Sequence, residues 1–184
     1  MPVTRTKVER QEKVRQILDA AGRRLLADGY EGMSVAAIAR ELEIAQNSVY
    51  WYFPSKDDLF AAAFREILAR LASKKPPPGT VARVVWVTDQ LAHVASLRAA
   101  LRARAAHSAA VAALRSDLDE WVRVLLLGET GPRPGPGDAG LAGQAFLATI
   151  EGVLSMDLPP RRRRQVITIA YQRLVGHETR PEAR

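Results

Sequence analysis

Gln46, Asn47 and Ser48 stand in a row. Short polar side chains exposed together on one helix can read base edges in a DNA major groove. A Gln or Asn amide pairs bidentately with adenine N6 and N7, and a Ser hydroxyl can bond to edges on either strand. A few residues on, Tyr50 and Tyr52 carry hydroxyls suited to phosphate oxygens. Lys56 opens the next expected helix, where an ammonium and free backbone N–H groups would grip one phosphate together. Tyr50, Trp51, Tyr52 and Phe53 are consecutive. Residues about 100° apart around a helix cannot all face inward, so at least one of these rings is expected at the DNA. The candidate DNA-binding set is Ser34, Gln46, Asn47, Ser48, Tyr50, Trp51, Tyr52 and Lys56.

Such residues can act only if they are held rigidly from behind. The spacing predicts a helix from about 34 to 42, capped by Ser34 and buried through Val35, Ile38, Ala39 and Leu42. After a break at Glu43 and Ile44, a short helix is predicted over 46–52, with Ile44 and Val49 facing inward. Ala39 is small, as a tight helix crossing requires. Two brief helices about so short a turn must cross steeply, which is helix-turn-helix geometry. Pro54 stops the second helix, Ser55 recaps at once, and Asp58 three residues later completes a capping-box pattern. The long helix that follows, about 55–75, would bury Leu59, Phe60, Ala63, Phe64, Ile67 and Leu71. Upstream, Val14, Ile17, Leu18, Ala21 and Leu25 form one stripe of a helix over about 6–27, which Gly29 ends as a glycine free to take positive φ.

The segment from Ser34-Val35 through Ile38-Ala39 and Leu42 to Ser48-Val49-Tyr50-Trp51-Tyr52-Phe53-Pro54-Ser55-Lys56-Asp57-Asp58-Leu59 resembles the DNA-binding signature of the tetracycline-repressor (TetR) family. Ile17-Leu18-Asp19-Ala20-Ala21, Leu25 and Gly29-Tyr30 resemble that family's first helix, so the likeness covers about residues 12–64. It implies an all-helical, cytoplasmic homodimer whose first three helices bind double-stranded DNA at a near-palindromic operator. A small hydrophobic ligand in the C-terminal body would shift the spacing of the two heads and release the repressor. Carried over residue by residue, Gln46, Asn47 and Ser48 face bases, Tyr50 meets a phosphate or thymine methyl, and Lys56 meets a phosphate. Trp51 and Phe53 would pack the head together. Two positions depart from the pattern. Glu43 replaces the usual turn glycine, making a left-handed backbone there more costly. Ala45 replaces the Ser or Thr that would cap the recognition helix.

Beyond the prolines at 76–78 and Gly79, the chain reads as further helices over about 81–91, 96–106, 108–127, 140–156 and 161–175. A Gly/Pro-rich loop is expected at 131–138, and a frayed tail from Gly176. The expected fold is all-α with about nine helices: a three-helix N-terminal head, a long fourth helix and a C-terminal helical bundle. Residues 1–56 would form the DNA-binding domain and 57–184 the effector-binding and dimerisation domain. Trp86, Trp121, Phe146 and Met156 as a set are candidate walls of an apolar ligand pocket, although core packing is the plainer reading of each alone. The helices over 140–156 and 161–175 are apolar on more than one face. Phe146, Ile150, Gly152, Val153, Val166 and Ala170 are therefore expected at a four-helix interface with a partner subunit.

Among 184 residues the chain has no cysteine, and its 26% charged content is ordinary for a folded domain. The net charge of +7 points only mildly to a polyanionic partner, because residues 1–75 hold 13 Lys and Arg against 10 Asp and Glu. A run at Arg161–Arg164 could be a second basic patch, though a solvated helix start, in part loop, is the plainer reading. No apolar run reaches the ~18 residues of a membrane span, and the N-terminal residues lack the apolar core of a signal peptide. No nucleophile elbow, P-loop, GxGxxG or HExxH occurs, so an enzyme, a cofactor and a metal are all unexpected. A regulator whose body serves only dimerisation or a protein partner is the alternative reading.

Overall fold

A computed structural model of the chain describes residues 2–127 and 138–175. Among these residues there are nine helices and no strand. They are α1 (Pro2–Gly32), α2 (Val35–Glu41), α3 (Gln46–Tyr52), α4 (Lys56–Ala72), α5 (Thr80–His93), α6 (Ala95–Arg104), α7 (Ala109–Leu127), α8 (Asp138–Ser155) and α9 (Pro160–Leu174). The chain divides into two compact units, one of Met1–Lys74 with Ser96–Ser116, the other of Lys75–Ala95 with Asp117–Arg184.

The first unit is built on α1 against α4. Ile17, Ala20, Ala21 and Leu25 of α1 are buried, as are Leu59, Phe60, Ala63, Phe64 and Ile67 of α4. Val14, Leu18 and Leu71, read as members of the same stripes, are half-buried at the margins. Tyr30 of α1 meets Phe60 of α4 edge-on at 5.1 Å, and Phe60 lies 5.7 Å from Phe64 on the same helix. Gly29 does take positive φ, at 69°, but α1 resumes for a last turn to Gly32 rather than stopping there. Leu97 and Leu101 of α6, with Val111 and Leu114 of α7, are also buried in this unit.

Capping fixes the ends of the short helices. Ser34 Oγ accepts from Ala37 N at 3.3 Å, and Ser55 Oγ accepts from Asp58 N at 3.1 Å. The second cap departs from a reciprocal box: the Asp58 carboxylate accepts from the Ser55 hydroxyl at 2.6 Å instead of reaching a backbone donor. At the end of α2, Ile44 N donates to Ala39 O at 3.0 Å and Glu43 N to Arg40 O at 3.2 Å. That is a Schellman motif, whose left-handed residue is Glu43 with φ 53°. A non-glycine in this region is tolerated because both bonds and the buried Ala39 over-determine the turn.

In the second unit α8 packs on α9 and α9 on α5. Val84, Val87 and Leu91 of α5 are buried, with Phe146, Ile150, Val153 and Leu154 of α8 and Ile167 of α9. Phe146 meets Tyr171 edge-on at 5.5 Å, and the buried Thr88 hydroxyl donates to Val84 O at 2.8 Å. The run Arg161–Arg164 is helical throughout, which corrects the expectation of part loop. Pro160 supplies a preset first turn, and Asp89 of α5 accepts from Arg163 at 3.2 Å and Arg164 at 2.8 Å, offsetting the repulsion between these cations and the helix dipole. Asp138 begins α8, whereas the rest of the expected 131–138 loop and the tail from Gly176 lie outside the described residues.

Candidate nucleic-acid interface

The short helix α3 is fixed by one side and offered by the other. Val49 is fully buried, and Phe53 and Tyr52 are half-buried. Gln46, Asn47, Tyr50 and Trp51 are exposed, and their i, i+1, i+4, i+5 spacing places them on one face. Ser48, expected among the base readers, is half-buried at the side of that face. Ala45 caps α3 with no side-chain bond, and the first turn is closed by Ser48 N donating to Ala45 O at 2.9 Å. Ser34 stands exposed at the start of α2. One lone pair serves its cap, and its hydroxyl proton remains available to an acceptor.

Trp51 requires a correction. It does not pack the head together but is 65% exposed, touching Tyr52 edge-on at 4.8 Å. Phe53, two residues beyond Trp51 and the C-cap of α3, is half-buried.

Lys56 is tethered at the edge of the interface. Its ammonium lies 4.4 Å over the Tyr30 ring and donates to Glu31 O at 3.3 Å. The next residue, Asp57, points inward and is buried. Tyr30 Oη donates to Asp57 Oδ1 at 2.7 Å, while Arg104 of α6 clamps the same carboxylate bidentately, Nη2 at 2.9 Å and Nε closer still. Arg104 also lies 4.7 Å over the Tyr30 ring. The Arg104 hydrogen bonds, then that of Tyr30, hold the Asp57 carboxyl below the usual carboxylate range against the opposing effect of burial. Burial, then the carboxylate beside it, pushes the Tyr30 phenol well above its ordinary range. Tyr30 therefore stays a neutral donor and Asp57 a charged acceptor. One turn of α4 thus directs Lys56 outward and Asp57 inward. Asp57 and Arg104 escape sequence reasoning because they stand 47 positions apart in the chain.

The other named residues lie in the second unit. Phe146 is buried, Trp86 and Trp121 are half-buried, and Met156 is 60% exposed just beyond α8. An open groove along α9, lined by Pro160, Arg161, Arg164, Gln165, Thr168 and Ile169, includes none of these four. Of the expected interface residues, Phe146, Ile150 and Val153 are already buried within the chain, Val166 and Ala170 are half-buried, and Gly152 is exposed. A Cβ at Gly152 would meet open space. Among the described residues, no cluster of His, Asp or Glu could hold a metal ion, and no helix is long and apolar enough to cross a membrane.

Two short helices joined by a tight turn, with Val49 buried on one side and Gln46 and Asn47 exposed on the other, form a helix-turn-helix. Residues 17–63 match the sequence profile of the bacterial regulatory proteins of the tetR family. The HTH-type transcriptional repressor KstR of Rhodococcus jostii (strain RHA1) is 36% identical over 70 residues, 38% of this chain and 33% of that protein. The match therefore spans about a third of the curated relative's length. A transcriptional regulator of Rhodococcus sp. Rha1 superposes with a TM-score of 0.67 at 24% identity, covering 91% of this chain and 99% of that one. A transcriptional regulator of Saccharomonospora viridis, crystallised with choline, gives 0.61 at 19% identity over 88% and 96%. Over residues 17–63 the chain is therefore similar to the TetR family, and the proteins named above are transcriptional regulators.

Proposed function

We propose that this protein is a cytoplasmic homodimeric repressor that binds a near-palindromic double-stranded DNA site and leaves it when a small hydrophobic ligand occupies its C-terminal body. Residues 1–56 carry DNA binding and 57–184 carry dimerisation and ligand response. The observation that carries this reading is the face of α3. Gln46 and Asn47 project from a helix that Val49 locks from behind, with Tyr50, Trp51 and the tethered Lys56 beside them. Gln46, Asn47 and Ser48 would read bases, and Ser34, Tyr50, Tyr52 and Lys56 would hold phosphates. Two identical heads about a two-fold axis must read the same half-site inverted.

Selection of bound sequences from a random DNA pool is expected to return an inverted repeat. Gln46→Ala should relax preference at one symmetric pair of positions, at a cost of about 1 kcal/mol on the selected site. Lys56→Ala should weaken every sequence alike and lower the slope of log K against log salt by about 0.9 per head. No enrichment at all, or a single asymmetric site, would remove the reading.

Ligand response draws support from the choline-bound relative and from half-buried Trp86 and Trp121 in the second unit. A ligand that binds only the native state stabilises it by RT ln(1 + [L]/Kd). Thermal-shift screening of amphipathic cations and acyl compounds should yield at least one stabiliser that also weakens DNA binding. A chain untouched by any of them would instead favour a body that only dimerises.

A further inference from the structure

The exposed face of α3 carries an indole that the fold leaves in solvent, and a cation from the far N-terminal part of α1 is laid over it. The guanidinium carbon of Arg10 lies 4.8 Å from the Trp51 ring centroid, and both side chains are exposed. Arg10 precedes Val14 by four residues and Ile17 by seven, so it continues the buried stripe of α1 beyond the point where burial ends. The first turns of α1 therefore run past the core and carry Arg10 out beside α3.

Two cations one turn further along α1 already have acceptors. Arg15 pairs with Glu12 at 2.6 Å, and Lys13 donates to Gln16 at 2.9 Å. Arg10 rests on a neutral ring, which orients the guanidinium without cancelling its charge. A guanidinium carries five N–H donors and an indole ring face is at most a weak acceptor, so donors remain for a planar or tetrahedral oxyanion. The stack also limits the rotamers that an exposed arginine would otherwise lose on binding.

We infer that Arg10 is a phosphate-binding residue, held by Trp51 as by a platform, which grips the DNA backbone beside the bases read by Gln46 and Asn47. The inference rests on the DNA-binding reading above. The ligand is a phosphodiester oxygen pair. Trp51 acts here by orienting Arg10, which explains an indole that the core does not use.

The test measures binding of wild type, Arg10→Ala and Arg10→Lys to one selected duplex and one unrelated duplex across a salt series. Arg10→Ala should lower the slope of log K against log salt by about 0.9 per head and weaken both duplexes alike, about fivefold per head near 0.15 M salt. Arg10→Lys should keep the wild-type slope while losing part of the affinity, because it retains the charge but not the fork. A wild-type slope for Arg10→Ala would overturn this assignment and leave the DNA-binding reading intact. A wild type that binds neither duplex would overturn both.

Discussion

Replacing Arg104 with methionine should cost the native state about 2 kcal/mol, although the side chain lies on α6, outside the helix-turn-helix. Removing one partner of a buried ion pair typically costs 3–5 kcal/mol because the other charge is left buried and unpaired. The Asp57 side chain is 11% exposed, so that penalty is substantial; Arg104, at 36%, is partly screened, which reduces it. Tyr30 would remain as a single hydrogen-bond donor to a carboxylate that now has three. The carboxylate would then protonate or turn outward, and in either case the first α4 turn, with Lys56, loses its setting. Asp57→Asn with Arg104→Met should cost less than the sum of the single changes, as two members of one network do.

The pH dependence follows from the same pair. Asp57 is held below its unfolded value, so between the two values the unfolded chain binds more protons. Its contribution is complete above about pH 4, the ordinary carboxylate value, and is lost as pH falls below it. Urea midpoints of wild type should therefore decline on acidification more steeply than those of Arg104→Met. Equal midpoints at pH 7, or parallel declines, would show the clamp to be energetically idle.

Much of the head was legible in the sequence because its determinants are local. The apolar spacing in α1 and α4, the Ser34 and Ser55 caps, the positive φ of Gly29 and the uncapped Ala45 each depend on a few neighbouring residues. The same locality makes the Glu43 turn readable as a costly left-handed position, which it is. What was not legible depends on residues far apart in the chain. No spacing joins Asp57 to Arg104, Arg10 to Trp51, or Asp89 to Arg163 and Arg164, because nothing in a one-dimensional pattern says which charge the fold brings near another. The α8 helix shows the limit most clearly. Its composition reveals two usable faces, but not that Phe146, Ile150 and Val153 lie on the one the chain covers itself. The uncovered face is made instead of Leu141, Ala145, Ala148 and Gly152, at i, i+4, i+7 and i+11.

That uncovered face makes Gly152→Arg the variant with the largest expected loss of DNA binding. Within one chain the change is benign. A Cβ at Gly152 meets nothing, and arginine favours a helix interior over glycine by roughly 0.8 kcal/mol. The variant should therefore melt at or above the wild-type temperature once subunit association is allowed for. In a dimer the consequence reverses. A glycine in the middle of an exposed helix face is unfavourable unless another backbone approaches it closely, and its neighbours Ala145 and Ala148 are small enough to permit that approach. Ile169 of α9 is also left exposed, as a half of a four-helix interface would be. An arginine inserted there must either be buried without a partner or hold the helices apart. Each head would then bind DNA alone, without the effective-concentration gain of linked half-sites, which is commonly 10²- to 10⁴-fold. Sedimentation at micromolar concentration should show a wild-type dimer and a Gly152→Arg monomer, with operator affinity at least ~100-fold weaker for the variant. A wild type that sediments as a monomer, or a variant that remains a dimer with unchanged affinity, would take this face out of the interface.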